Sequence, residues 1–229
     1  MTELIYQALL KTHMIAGLLA LPIFWIPALT KKGSPIHRRA GKWFLILMVF
    51  VAATGLPLAL RFVAIGRFVS GTFLAYLFVI TATALATAWY ALKFKRDYRQ
   101  FYGNPYLLVG LVNLLVGATV LYLGLSNGTT LLTLFSFIGI ATGVSMFVRK
   151  RRIDRGEPDS TWWLQEHLGG MFAAGIAAHV AFGAFGLSRI WPAYASIEGW
   201  IGMLPWLAPV VIGTVAISVQ TRKYRNMAS

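Results

Sequence analysis

The sequence predicts an all-α fold: a polytopic membrane bundle of seven transmembrane helices, with the N-terminus outside and the C-terminus cytoplasmic. Three observations carry this expectation. Hydrophobic residues make up 58% of the chain and charged residues 12%, where a soluble domain is about a quarter charged. Seven apolar runs each approach the roughly 20 residues that a membrane-spanning helix takes. Basic residues gather between alternate runs. Seven spans use about 140 residues, which leaves short loops and no soluble domain, so residues 1–229 read as one integral membrane domain.

The runs fall at 5–29, 43–60, 69–92, 106–125, 130–148, 163–187 and 199–219. They are continuous rather than alternating, which argues against a barrel, and lipid leaves helices as the way to satisfy the backbone. The first run has no basic region before it and five basic residues soon after it, so it reads as a retained helix rather than a signal peptide. Ser34-Pro35 supplies a cap and a first-turn proline for the second helix, which places His37 in its first turn. Asn104-Pro105 is expected to start the fourth helix in the same way. Asn127-Gly128-Thr129, between the fourth and fifth runs, matches a glycosylation sequon that matters only in a secretory host. In the sixth run, 11 of the 22 residues from Glu166 to Leu187 are Gly or Ala. Gly170, Ala174 and Ala178 form a row of small residues suited to close helix packing, or to a flat slot for a planar cofactor. Pro22, Pro27, Pro57, Pro205 and Pro209 are expected to kink their helices.

Orientation follows from charge. The segments 31–42, 93–100 and 149–155 and the tail from Arg222 hold 17 of the 21 Lys and Arg residues, which places them in the cytoplasm. The net charge of +14 therefore points to an anionic lipid bilayer as partner and not to nucleic acid. With no cysteine, disulfides, thiol nucleophiles, Cys-bound zinc and iron–sulfur clusters are excluded.

The four histidines, His13, His37, His167 and His179, lie in or at the ends of spans, where ionisable groups are costly and are functional candidates. Counted along their helices, His13 and His179 form an outer pair and His37 and His167 an inner pair. Two such levels are similar to bis-histidine membrane cytochromes, with imidazoles from two helices on haem b iron. Arg38 and Arg39, beside His37, would contact haem propionates or lipid headgroups. Twelve residues at 100° each put His179 about 120° around the helix from His167, which argues against a clean two-haem helix and leaves one haem at one level, or none. Another possibility is a divalent metal held by His37, His167 and Glu166. The plain alternatives are hydrogen bonds to backbone carbonyls or hydroxyls for His13, and headgroup contact for His37. Glu166 also suits a proton relay, and Asn113 an interhelical hydrogen bond.

The elements His13-x3-Gly17, Lys32-Gly33-x3-His37-Arg38-x2-Gly41-Lys42 and Glu166-His167-x3-Met171 resemble a large family of prokaryotic multi-spanning membrane proteins known only as a domain of unknown function. Lys-Gly-x3-His-Arg-x2-Gly is the most specific element. The resemblance covers most of the chain and implies that His13, His37 and His167 belong to the family pattern. At the position of His179 the family pattern implies a small or hydroxylated residue. The resemblance brings no reaction with it. The leading expectation is a haem b or metal protein passing electrons between a quinone and another membrane subunit, in the cytoplasmic membrane of a prokaryote. A small-molecule transporter or sensor and a structural subunit of a membrane complex are the alternatives. No residue pattern decides whether the chain is an enzyme.

Overall fold

The computed structural model describes residues 2–156, 160–197 and 199–226, and their regular structure is helical throughout. Seven helices are long and apolar enough to cross a membrane. In chain order the elements are α1 (Glu3–Leu29), α2 (Pro35–Ala64), α3 (Phe68–Lys93), α4 (Tyr98–Phe101), α5 (Asn104–Ser126), α6 (Thr130–Arg155) and α7 (Trp162–Ala181). A π turn (Phe182–Gly186) and α8 (Leu187–Ile190) continue α7, and α9 (Gly199–Gly202) and α10 (Leu204–Asn226) follow.

Side chains cap α1, α2 and α4 at Thr2, Ser34 and Asp97, whereas α3, α5, α6 and α7 start without a side-chain cap bond. Ser34 caps α2 by accepting from the His37 backbone N–H at 3.2 Å, with Pro35 in the first turn as expected. The fourth span departs from expectation. Asp97 caps a short additional helix, α4, through Gln100 N. Gly103, not Asn104, then occupies the cap of α5 and makes no side-chain cap bond. The last span begins at Leu204 rather than near 199, because the residues before it form the separate turn α9.

The helices pack in the sequence α1–α2–α3–α7–α10, with the α5–α6 hairpin against α3. Small residues permit these contacts, as they must where lipid supplies no hydrophobic drive. On α5, Gly110, Gly117 and Gly124 recur every seven residues and meet α6 directly. A Cβ at Gly124 would sit 2.6 Å from Thr133 N, and one at Gly117 would sit 2.9 Å from Ile140 N. On α7, the row Gly170, Ala174 and Ala178 is buried, and a Cβ at Gly170 would lie 2.5 Å from Ala84 O of α3. The flat slot considered for this row is therefore filled by α3.

One side chain is wedged into a helix. Tyr76 of α3, fully buried, donates its hydroxyl to Phe135 O at 2.6 Å and accepts from Gly139 N at 2.8 Å. These two backbone groups are an i, i+4 pair of α6, so the phenol stands in their helical ladder. Insertion of this kind is a recognised cause of helix bending. Nearby, Asn113 of α5 donates to Thr83 Oγ1 at 2.8 Å, which bears out its expected interhelical bond.

Contacts between helix ends give the bundle two ends. At one, Tyr102, Arg149 and Glu166 meet, as do His167 and Ala88. At the other, Arg61 of α2 pairs with Glu3 of α1 at 2.8 Å. The first is called the basic end below, because the Lys- and Arg-rich segments are there. The side chains of Lys223 and Arg225 lie outside the described residues.

Candidate functional site

A cavity of about 1060 Å³ runs among the spans. Its lining includes Tyr6 and Arg189 toward one end and Arg149, Glu166 and Thr221 toward the basic end. A pocket of this size is at the upper limit of ordinary ligand sites. The walls are mostly aliphatic, with hydroxyls from Thr81, Thr87, Thr142 and Ser145. On α7 the cavity is faced by a second small-residue row, Gly169, Ala173, Ala177 and Ala181. A Cβ at Gly169 would meet nothing within 4 Å. The two α7 rows are one residue apart and differ most at Gly169 and Gly170: Gly170 closes on α3 at one side while bordering the cavity, with Ala178, at the other, and Gly169 has open space above it. The π turn supplies Phe182, Phe185 and Gly186 to the same lining, a common use of such irregularities.

A buried polar cluster ends the cavity. Among the described residues, Glu166 is the one charged side chain that is buried. Its Oε1 accepts from the Tyr102 hydroxyl at 2.8 Å and from the Arg149 guanidinium. Tyr106 stands against the same pair within the aromatic group of Phe101, Tyr102 and Trp162. A carboxylate in this setting needs both partners, since an unpaired charge in a low-dielectric interior is expensive.

The histidines are tied individually. The Thr54 hydroxyl already donates to Phe50 O at 2.7 Å. The 2.9 Å bond to His13 Nδ1 is therefore Nδ1–H donating to Thr54. His37 Nδ1 lies 3.0 Å from Pro27 O, and His167 Nδ1 lies 3.0 Å from Ala88 O. Carbonyls only accept, so both imidazoles carry the proton on Nδ1 and leave the Nε2 lone pair uncommitted. His179 differs: Nδ1 donates to Gly175 O at 2.8 Å, and Nε2 accepts from Trp25 Nε1 at 3.2 Å. Both of its nitrogens are used within the bundle.

The inner pair is brought together, with His37, His167 and Lys32 within electrostatic range of one another. The outer pair is not. His179 pairs with Trp25, twelve residues along α1 from His13, a rise of about 18 Å. Residue counting inward from the outer ends of the two helices took those ends to be level, and the Trp25–His179 bond shows that they are not. The metal set is not assembled either. Glu166 turns to Tyr102 and Arg149, and among the described residues no group of three or more His, Cys, Asp or Glu is placed to hold a metal. Arg38 and Arg39 are exposed beside His37. Lys32 donates to Pro27 O and Ala28 O, both at 2.9 Å, and burial holds its ammonium below the ordinary lysine range.

Sequence reasoning missed Arg149, Tyr102 and Tyr106 as site residues. Arg149 hides in a basic run, but it continues the spacing of Thr142 and Ser145 on one α6 face, which was the available signal. The two tyrosines follow a loop and carry no pattern of their own.

The fold and cavity define a multi-pass membrane protein with space inside its helix bundle. Comparison of the chain with protein-family models, with curated proteins and with solved structures finds no match in any of the three.

Proposed function

We propose that this protein binds an elongated, largely apolar molecule within the membrane, as the binding step of a small-molecule transporter or sensor. The observation that carries the proposal is the cavity of about 1060 Å³ beside the Gly169–Ala173–Ala177 row. Aliphatic walls favour a hydrocarbon or isoprenoid chain by the ordinary gain of apolar burial, about 25 cal/mol per Å². The hydroxyls and the Arg149–Glu166 pair give a polar head a place to stop. A lipid or the isoprenoid tail of a quinone fits this class. We place the basic end in the cytoplasm by the positive-inside rule, with the membrane being the cytoplasmic membrane of a prokaryote.

The experiment is extraction and mass spectrometry of molecules that co-purify with the detergent-washed protein, for the parent and for Ala173→Phe and Ala177→Phe. A stoichiometric apolar molecule in the parent, lost from both folded variants, supports the proposal. An unchanged set of extracted molecules overturns it.

Haem or metal binding with electron transfer draws less support. His179 has no nitrogen left for iron, Glu166 is committed to Arg149, and the Lys32 ammonium beside His37 and His167 opposes a cation. A Soret band that disappears in His37→Ala and His167→Ala would establish that reading in place of ours.

A further inference from the structure

The loop after α1 turns back on itself. Gly33 takes a left-handed backbone, φ +76°, which a glycine adopts without strain. Ser34 and Pro35 then start α2, so that Lys32 and His37 both reach the Pro27 carbonyl at the end of α1. His167 arrives from α7, steered by Ala88 O of α3. Three basic groups on three elements thus lie within electrostatic range of one another at the basic end. All three are half-buried, and so are open to solvent or headgroups on one side.

No carboxylate answers them among the described residues. Glu3 is held by Arg61, Asp154 by Lys150, Asp97 by the α4 cap and Glu166 by Tyr102 and Arg149. Glu157, Asp159 and Glu198 lie outside the described residues. The cluster therefore has positive potential and spare hydrogen-bonding capacity. Lys32 spends two of its three N–H groups on Pro27 and Ala28, and His37 and His167 each keep Nε2, which accepts in the neutral ring and donates once the ring is protonated.

We propose that Lys32, His37 and His167 form an anion site that takes a phosphate group, either the headgroup of an anionic phospholipid or free phosphate. A tetrahedral phosphate presents several acceptor oxygens to donors arriving from different elements, which suits one ammonium and two imidazoles. Charge-assisted bonds of this kind are the strong ones. Each imidazole donates from Nε2 only when protonated, so binding takes up protons and tightens as pH falls through the histidine range. The charged groups facing the site are Lys32, His37 and His167, with α3 contributing the Ala88 carbonyl. Arg38 and Arg39 add charge from the exposed first turn of α2. The site is independent of the cavity and of what the cavity binds.

The test uses the full chain in phosphatidylcholine nanodiscs, with two probes whose phosphate keeps a single negative charge throughout: nanodiscs that also contain phosphatidylglycerol, and dimethyl phosphate in solution. Unfolding temperature and phosphorus-31 line width are read at pH about 5 and about 8, either side of the usual histidine value. We expect a rise in unfolding temperature and a broadened phosphorus line, each several-fold larger at the lower pH, and largely lost in His37→Gln and in His167→Gln but kept in His179→Gln. A response to phosphatidylglycerol alone identifies the lipid as the source, and a response to both probes identifies the phosphate group itself. If the substitutions lower stability, the pH dependence of the unaltered protein decides the matter. No response to either probe, or a response that is equal at both pH values, overturns the site.

Discussion

Gly169 and Gly170 are adjacent on α7, and a single methyl at each separates the two roles assigned to that helix. At Gly170 the new Cβ would stand 2.5 Å from Ala84 O, 2.8 Å from Ala88 N and 2.9 Å from Ala88 Cβ. Comfortable carbon contacts are about 3.5–4.0 Å, so α3 and α7 must part by roughly 1 Å at this point. Overpacking of this order costs about 1–3 kcal/mol. Parting the helices also stretches the bond from His167 Nδ1–H to Ala88 O, worth about 1 kcal/mol. Alanine returns up to about 1 kcal/mol as the better helix former, leaving a net loss of about 1–3 kcal/mol. Gly169→Ala meets no atom within 4 Å and keeps only the helix-forming gain, so it should equal or exceed the parent by up to about 1 kcal/mol. Reversible unfolding in mixed micelles of mild detergent and dodecyl sulfate measures the difference. If the two variants unfold together, the assignment of Gly170 to the α3 contact and of Gly169 to open space is wrong.

Tyr76→Phe removes the hydroxyl from the α6 ladder and should cost about 2 kcal/mol for two buried hydrogen bonds; no loss in the same unfolding assay would mean that Phe135 O and Gly139 N simply rejoin. Glu166→Ala strands the Tyr102 hydroxyl and the Arg149 guanidinium. It should destabilise by about 2 kcal/mol, kept below the fully buried range because Arg149 is half exposed and can be rehydrated. His179→Ala should lose the bonds to Trp25 and to Gly175 O, about 1–2 kcal/mol, and leave any bound species in place, which absorption spectroscopy and mass spectrometry check. Reporter fusions after residues 97, 153 and 225 should report cytoplasm and fusions near 65, 127 and 194 the outside; an outside signal at residue 153 would refute the orientation.

The seven long helices were legible because membrane insertion is a composition problem: a run of apolar residues long enough to cross leaves the chain few other options. Local caps were legible where a side chain does the capping, as at Ser34, and illegible at Gly103, where the backbone alone closes the turn. The small residues of α7 were visible, but their division into a packed row and an open row was not. That division depends on which face α3 covers, a tertiary fact. The glycines at 110, 117 and 124 carried a seven-residue period that goes with the α5–α6 contact. Of the candidate site residues, His37 and His167 sit together because both occupy helix starts at one end, a fact that sequence order gives. The side-chain partners of Glu166 and His179 come from chain distances of 17 to 154 residues, which no local pattern encodes.

The most direct test of the central claim is a structure determined in lipid nanodiscs, with attention to the volume bounded by α1, α2, α3, α6, α7 and α10. The account predicts elongated, apolar density lying along Gly169, Ala173 and Ala177, its polar end toward Arg149. A bundle in which those residues close against another helix, with no volume between, would contradict it.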